Sequence, residues 1–135
     1  MPCSISIVVY GSPKALKRHR IFRVGGSLRA YDPSRGDKSD FIMQIIKCRP
    51  PEPLNGKLAL SFKFYMPIPK CFPKRLRREG LDVPHVKKPD LDNLIKFCLD
   101  AMNNLIYRDD SQIYRIEAVK LYSEKPRTVI EIRGE

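Results

Sequence analysis

The stretch KKPDLDNLIKFCLDAMNNLIYRDDSQI, from Lys87 to Ile113, predicts a helix that packs beside a sheet. Apolar residues recur in it at helical spacings of three and four, which gives one buried face formed by Leu91, Leu94, Ile95, Cys98, Leu99 and Met102. Asp90 or Asp92 can cap the start of this helix, and the asparagine pair at 103–104 ends it. The chain then turns and continues as a strand.

Strand patterns flank this helix on both sides. The clearest is KLALSFKFYM, in which apolar side chains alternate strictly with the others; they are Leu58, Leu60, Phe62, Phe64 and Met66. The segments SISIVVY near the beginning and RTVIEIRG near the end also read as strands. Between IFRV and SLRAY, Gly25-Gly26 is a plausible hairpin turn.

A second helix is predicted over SDFIMQIIKC, where Ser39 or Asp40 can cap the first turn. Its apolar stripe consists of Phe41, Ile42, Ile45 and Ile46 and can extend to Cys48. A proline pair then ends the helix. The order strand, helix, strand, basic loop, helix, strand, strand predicts an α+β fold with a mainly antiparallel mixed sheet and two main helices. At 135 residues, the chain is expected to form a single domain, 1–135.

The charge of the chain favours a polyanionic partner, because 26 Lys and Arg oppose 15 acids for a net charge of +11. The bases are clustered: neither Met1–Ala30 nor Lys63–Arg78 contains an acid. The alternative is a charge that serves solubility alone. The candidate DNA-binding residues are Lys14, Lys17, Arg18, Arg20, Lys74, Arg75, Arg77, Arg78, Lys87 and Lys88.

The cysteines and the first apolar run bear on location. The four cysteines lack the close spacing of zinc ligands, and we expect them to be reduced, with Cys98 in a helix core. The run CSISIVVY is too short to span a membrane, and no basic residue precedes it as in a signal peptide. We therefore expect a cytoplasmic protein with no membrane partner and no small-molecule substrate.

The acids of the first stretch need an explanation in so basic a chain, since five of the fifteen lie within 27 residues. Asp90 and Asp92 alternate before the helix, and Asp109 and Asp110 are adjacent after it. Carboxylates held together repel one another unless they are protonated, paired or bridged by a cation, and oxygen-only ligands suit Mg²⁺ or Mn²⁺. The alternatives are helix capping for the first pair and a polar turn for the second.

Lys96 lies four residues after Asp92, on the same helix face and one turn further along. A cation there can stabilise charge that develops on a phosphate during its transfer. The alternative is an ordinary helical Asp–Lys pair, which contributes a few tenths of a kcal/mol. The sequence leaves open whether the returning strand brings Asp109 and Asp110 beside the start or the end of the helix.

These motifs together resemble the RusA family of Holliday junction resolvases. The residues that carry the resemblance are Asp90, Asp92 and Asn93 at a helix start, Lys96, and the Asp-Asp-x-Gln-Ile motif formed by Asp109, Asp110, Gln112 and Ile113. The resemblance implies a Mg²⁺-dependent crossover junction endodeoxyribonuclease, in which Mn²⁺ is a possible substitute. It implies metal binding by Asp90, Asp92 and Asp110, and a catalytic role for these three residues and Lys96.

The resemblance also implies a homodimer that binds branched DNA and makes paired, symmetric nicks in four-way junctions during recombination and repair. Such a junction has two-fold symmetry, which a symmetric dimer matches. The strand from Leu58 to Met66, or the first strand, is a candidate dimer interface. Two other functions stay open: a non-catalytic basic nucleic-acid-binding protein, and a Mg²⁺-dependent nuclease without junction preference.

Overall fold

The computed structural model describes residues 3–17, 20–31, 33, 35–72 and 83–134. The elements in this part of the chain are β1 (Cys3–Tyr10), β2 (Arg20–Val24), β3 (Ser27–Tyr31), α1 (Arg35–Ile45), β4 (Leu58–Pro67), α2 (Leu91–Met102), β5 (Ile113–Ser123) and β6 (Arg127–Gly134). Short 3₁₀ turns follow α1, at Ile46–Cys48, and precede β5, at Asp110–Gln112. No helix among these residues is long and apolar enough to cross a membrane.

The main sheet is mixed and has the strand order β1-β6-β4-β5. The pairs β1/β6 and β6/β4 are antiparallel, whereas β4 and β5 are parallel. Because α2 connects those two parallel neighbours, β4, α2 and β5 form a βαβ unit in which the helix runs back against the strands. The α+β prediction and its mainly antiparallel mixed sheet are confirmed.

The strands β2 and β3 form a separate two-stranded antiparallel sheet. Its turn is Gly25-Gly26, with φ of 56° and 84°. Two successive residues with positive φ suit a tight hairpin turn, which explains why glycine occupies both positions. The hairpin that the sequence made plausible is therefore present.

Both helices cover one face of the main sheet. The apolar residues of β4 alternate into this core as predicted, and Leu58, Leu60, Phe62, Phe64 and Met66 are all buried. From α2, Phe97 joins the predicted stripe and is 1% exposed, and its ring meets that of Phe41 on α1 edge to face at 5.6 Å. Burial also raises the pKa of the Cys98 thiol, in agreement with the predicted helix-core position.

Two details of the sequence prediction are wrong. The helix α1 begins at Arg35, so Ser39 and Asp40 lie within it, and the Ser39 hydroxyl donates to the Arg35 carbonyl oxygen. An acid in the first turn favours this earlier start through the helix dipole, and Asp37 supplies it. The stripe also ends at Ile45, because the chain tightens into a 3₁₀ turn that leaves Ile46 41% exposed.

The position of β4 corrects one proposed dimer interface. The strand lies between β6 and β5, and its apolar side chains are already buried within the protomer. They are therefore not available to a partner. The strands that form the two edges of the main sheet are β1 and β5.

Candidate active site

Asp90 and Asp92 stand at the α2 entrance, the segment from Lys87 to Asn93. Asp90 has the N-cap position and an extended backbone, with φ −69° and ψ 144°, but its side chain makes no capping hydrogen bond. Asp92 lies in the first turn with its side chain 68% exposed. The capping alternative thus fails for the Asp90 side chain, and both carboxylates present oxygens to solvent near the positive end of the helix dipole.

Lys120 of β5 fastens the α2 entrance to the sheet. Its Nζ donates to the carbonyl oxygens of Lys87 at 2.6 Å and of Pro89 at 2.7 Å. One ammonium group therefore bonds two of the three carbonyls that precede Asp90 in the α2 entrance. These charge-assisted hydrogen bonds fix the approach of the chain to the helix and so the position of the Asp90 backbone.

The sequence prediction missed Lys120, although the sequence contains a hint of it. Along β5, Ala118, Lys120 and Tyr122 fall on the side that faces the core, opposite Phe62, Phe64 and Met66 of β4. A lysine in such an inward register needs acceptors for its ammonium group. The carbonyl oxygens of the α2 entrance supply them.

His85 supports the same junction between loop and strand. Its backbone N–H donates to the Lys120 carbonyl oxygen at 2.9 Å, and its ring packs on Tyr122 with centroids 4.8 Å apart. The side chain is 9% exposed, and its Nδ1 has no hydrogen-bond partner in the described part of the protein. Burial, with the nearby Lys120 and Lys87 charges, lowers the pKa of His85.

A basic segment lies against the first turn of α2. The Leu16 N–H donates to the Asn93 carbonyl oxygen at 3.0 Å, which attaches the loop that carries Lys14 and Lys17. Both lysines are exposed, and Lys17 Nζ also lies 3.8 Å from Asp37 Oδ2. This contact brings part of the first predicted basic cluster to the acidic α2 entrance.

Lys87 and Lys88 are exposed members of the α2 entrance itself. Among the other candidate DNA-binding residues, Arg20 begins β2, and only its backbone is described. The remaining candidates lie outside the described residues; they are Arg18, Lys74, Arg75, Arg77 and Arg78. Of the candidate DNA-binding residues, the ones whose side chains the structure describes on or next to the α2 entrance are thus Lys14, Lys17, Lys87 and Lys88.

Lys96 and Asp92 form the predicted pair one helical turn apart. Lys96 Nζ lies 3.8 Å from Asp92 Oδ2, and the two side chains are 60% and 68% exposed. An ion pair this open to water contributes little to stability. The ammonium group is nevertheless held on the same side of α2 as the Asp92 carboxylate.

Asp109 and Asp110 have different structural roles. Asp109 caps the 3₁₀ turn: its Oδ2 accepts from the Ser111 N–H at 3.2 Å, while Gln112 Oε1 accepts from the Asp109 N–H at 2.8 Å. The hydrogen bonds from Ser111 lower the pKa of the Asp109 carboxyl. Asp110, in contrast, is an exposed residue of the first turn that does not form the capping box; its metal-binding role stays a prediction from the resemblance.

Gln112 anchors this turn to the loop before β4. Its Nε2 donates to the carbonyl oxygens of Leu54 at 3.0 Å and Gly56 at 2.8 Å. The glutamine therefore holds the segment that carries Asp110, in addition to closing the cap of Asp109. The motif Asp-Asp-x-Gln is in this respect a structural unit, in which Asp109 and Gln112 form the capping box.

The two groups of carboxylates lie at opposite ends of α2. The Tyr107 hydroxyl donates to the Leu99 carbonyl oxygen at 3.0 Å, near the end of the helix. Asp110 follows Tyr107 by three residues and therefore lies near that end of the helix; burial, followed by the charge of Asp110, raises the pKa of Tyr107. The twelve residues of α2 span about 18 Å.

The strand β5 gives the same separation by a second route. Lys120, which reaches the α2 entrance, is seven residues beyond Ile113, or about 23 Å along a strand. The described residues accordingly contain no group of three or more Asp, Glu, His or Cys side chains placed to hold one metal ion. The chain brings Asp90, Asp92 and Lys96 together and leaves Asp110 at the other end of the helix.

Comparisons with known proteins agree with the motif. A family model described as endodeoxyribonuclease RusA matches residues 10–133. A Bacillus subtilis (strain 168) protein, named only as uncharacterized protein YqaN, is 36% identical over an alignment of 143 positions that covers 98% of this chain and 97% of that protein. A Lactococcus phage r1t protein, named crossover junction endodeoxyribonuclease rusA, is 36% identical over an alignment of 123 positions that covers 89% of this chain and 88% of that protein.

Proposed function

The chain belongs to the RusA family of endodeoxyribonucleases, and we propose that it is a Mg²⁺-dependent cytoplasmic enzyme that resolves Holliday junctions by paired, symmetric nicks. The observation that carries this proposal is the α2 entrance, where two exposed carboxylates lie among basic residues. Basic groups attract the DNA backbone, and acids in the same place hold the cation that such a reaction uses.

The donor chemistry of the site suits Mg²⁺. In phosphoryl-transfer sites this ion takes one or two carboxylates and completes its shell with water and phosphate oxygens. Asp90 and Asp92 offer such carboxylates, because neither is used to cap the helix through its side chain or is buried. When bound, the cation supplies a Lewis acid that polarises the scissile phosphate, and Mn²⁺ can replace it.

The resemblance assigns Asp110 to the same metal as Asp90 and Asp92, although Asp110 lies at the opposite end of α2. One chain cannot bring Asp110 to Asp90 and Asp92 without unfolding α2. We propose that the site is completed in a homodimer, with Asp90 and Asp92 from one protomer and Asp110 of the partner subunit. Two such sites, related by the two-fold axis, suit the paired cuts that a symmetric junction requires.

The role proposed for Lys96 follows from its place beside Asp92. The ammonium group, 3.8 Å from the Asp92 carboxylate, stands one turn above the α2 entrance. A phosphate bound at the entrance lies within reach of it, so that Lys96 stabilises the negative charge that develops during hydrolysis. Asp109 has no such role, because its carboxylate caps the 3₁₀ turn.

The test is cleavage of a synthetic four-way junction and of a linear duplex of the same arms, each with Mg²⁺ and with EDTA. We expect two symmetric nicks in the junction with Mg²⁺, little cutting of the duplex, and none with EDTA. Equal cutting of both substrates would identify a nuclease without junction preference. Binding without cutting under all conditions would identify a non-catalytic DNA-binding protein.

A further inference from the structure

The outer edge of β5 is exposed over a short and well-defined length. Its other edge pairs with β4 from Ile113 to Ser123, with one irregularity at Tyr114. On the outer side, His85 N–H donates to Lys120 O, Tyr122 N–H donates to Val83 O, and Pro84 bridges to Leu121. Within the part of the chain that the structure describes, no segment pairs with β5 from Ile113 to Val119.

Large apolar side chains are exposed along this open edge. Tyr114, Ile116 and Val119 are 60%, 39% and 43% exposed. An edge strand with unpaired backbone groups and exposed large apolar side chains is a template for another strand. Residues 113–119 contain no proline and no lysine, two residues that often protect an edge strand from pairing.

The charges of the edge are self-complementary. Arg115 and Glu117 form an ion pair along the strand within one chain. They stand one residue before and one residue after Ile116, which is the midpoint of the open length Ile113–Val119. When two copies of the strand pair antiparallel about Ile116, Arg115 comes opposite Glu117 of the partner subunit, and Glu117 opposite Arg115 of the partner subunit.

We propose that β5 pairs antiparallel with β5 of a second copy of this chain, centred on Ile116, to form a continuous eight-stranded sheet. The proposal rests on the proposed function in one respect: it gives the homodimer its interface. In this register the two Ile116 side chains, each 39% exposed in a single chain, lie opposite each other, so they are covered together with the backbone of the edge.

The same register places the two groups of carboxylates near each other. Asp110 lies six residues before Ile116, so it comes near the level of the partner's Tyr122, two residues past the partner's Lys120. Lys120 is the residue that holds the α2 entrance through Pro89. The antiparallel pairing thus carries Asp110 of one protomer to the end of the sheet where the Asp90 and Asp92 pair of the other protomer is located.

The charge pattern gives the first test, by sedimentation equilibrium of the full chain without DNA. We expect a dimer whose Kd rises about tenfold or more in Glu117→Arg, because two pairs of like charges then oppose each other. The double variant Arg115→Glu/Glu117→Arg restores opposite charges and should return the Kd to near wild type. The control is Glu131→Arg, on the same sheet face but on central strand β6, which should leave the Kd unchanged.

A cross-link gives the second test. With the exposed cysteines Cys3, Cys48 and Cys71 changed to serine, Ile116→Cys should form a disulfide with itself under mild oxidation. Residues opposite each other in an antiparallel pair have Cα atoms about 4.5–5.5 Å apart, within the range that a disulfide spans. The same background with Val8→Cys, on the far edge strand β1, should not cross-link.

The outcomes separate this interface from the proposed function. A monomer, or a dimer that is indifferent to Glu117→Arg and gives no cross-link at residue 116, would overturn the interface, while junction cleavage could still be observed. A dimer with the expected responses that fails to cut junctions with Mg²⁺ would leave the interface standing and overturn the nuclease. Circular dichroism of each variant confirms that the comparison is made between folded proteins.

Discussion

Lys120 Nζ lies 2.7 Å from the Pro89 carbonyl oxygen and thereby connects β5 to the residue that precedes Asp90. The contact links the sheet to the α2 entrance through a single side chain. Because the same ammonium group also bonds the Lys87 carbonyl oxygen, its removal frees both carbonyls at once. The position of the candidate metal site therefore depends on a residue outside the family motif.

We expect Lys120→Met to weaken metal-dependent cleavage, because without the two hydrogen bonds from Lys120 the backbone at Asp90 is no longer held in place. The apparent Mg²⁺ requirement should rise several-fold, while the free energy of unfolding falls by about 1 kcal/mol, the scale of such hydrogen bonds. Cleavage measured over a Mg²⁺ titration, beside urea unfolding, separates the two effects. The matched control is Lys63→Met, an exposed lysine of β4. A variant with lower stability and an unchanged Mg²⁺ curve would limit Lys120 to a structural role.

Lys96→Ala is expected to lower the single-turnover cleavage rate by roughly two to three orders of magnitude, the usual scale for one donor that stabilises transition-state charge. Junction affinity, measured in Ca²⁺, should change little, since one charge is a small part of a strongly basic surface. The helix loses only the weak pair with Asp92. Wild-type cleavage with slightly lower stability would show that this pair is all that Lys96 provides.

The salt dependence of junction binding tests the basic surface at the α2 entrance. Neutralising Lys87 and Lys88 to glutamine should weaken binding and reduce the slope of log K against log salt by about two per protomer, or roughly four for a dimer on one junction. The control changes the exposed Lys47 and Arg49 to glutamine, with the same loss of charge away from the entrance. Equal slopes for the two double variants would contradict a specific role for Lys87 and Lys88.

His85 should make stability depend on pH. Burial lowers its pKa in the folded chain below the unfolded value, which is about 6.5. As the pH falls below that value, the unfolded chain binds more protons than the folded one, so stability decreases. Urea unfolding from pH 8 to pH 5 should show a loss in wild type that His85→Phe lacks. Parallel curves for the two proteins would exclude His85 as the cause.

Much of the fold follows from periodicity in the sequence. The strict alternation of Leu58 to Met66 predicts a strand with one buried face, and the three-and-four spacing after Asp90 predicts α2 with its buried side. The missed start of α1 at Arg35 has a local cause. Its first turn contains Gly36 and polar residues, so the apolar period that identifies a helix begins only at Phe41.

The sequence left open which end of α2 lies beside Asp109 and Asp110, because the spacing of residues along the chain does not determine the direction in which the next strand runs. A helix that connects parallel neighbours runs opposite to them, so the segment before α2 and the segment before β5 are at opposite ends. The parallel pairing of β4 with β5 thus decides where Asp110 lies relative to Asp90. The prediction of a mainly antiparallel sheet was correct, but it did not identify β4 and β5 as a parallel pair.

The most direct measurement of the central claim combines two inactive variants on a four-way junction with Mg²⁺. Asp92→Asn and Asp110→Asn should each abolish cleavage and keep junction binding, because each removes one carboxylate from both sites of the dimer. After subunit exchange between equal amounts, half of the dimers are mixed and contain one complete site. We predict single-strand nicking at roughly a quarter of the wild-type number of sites. Mixed dimers that form and bind the junction but do not nick it would contradict a metal site shared between protomers.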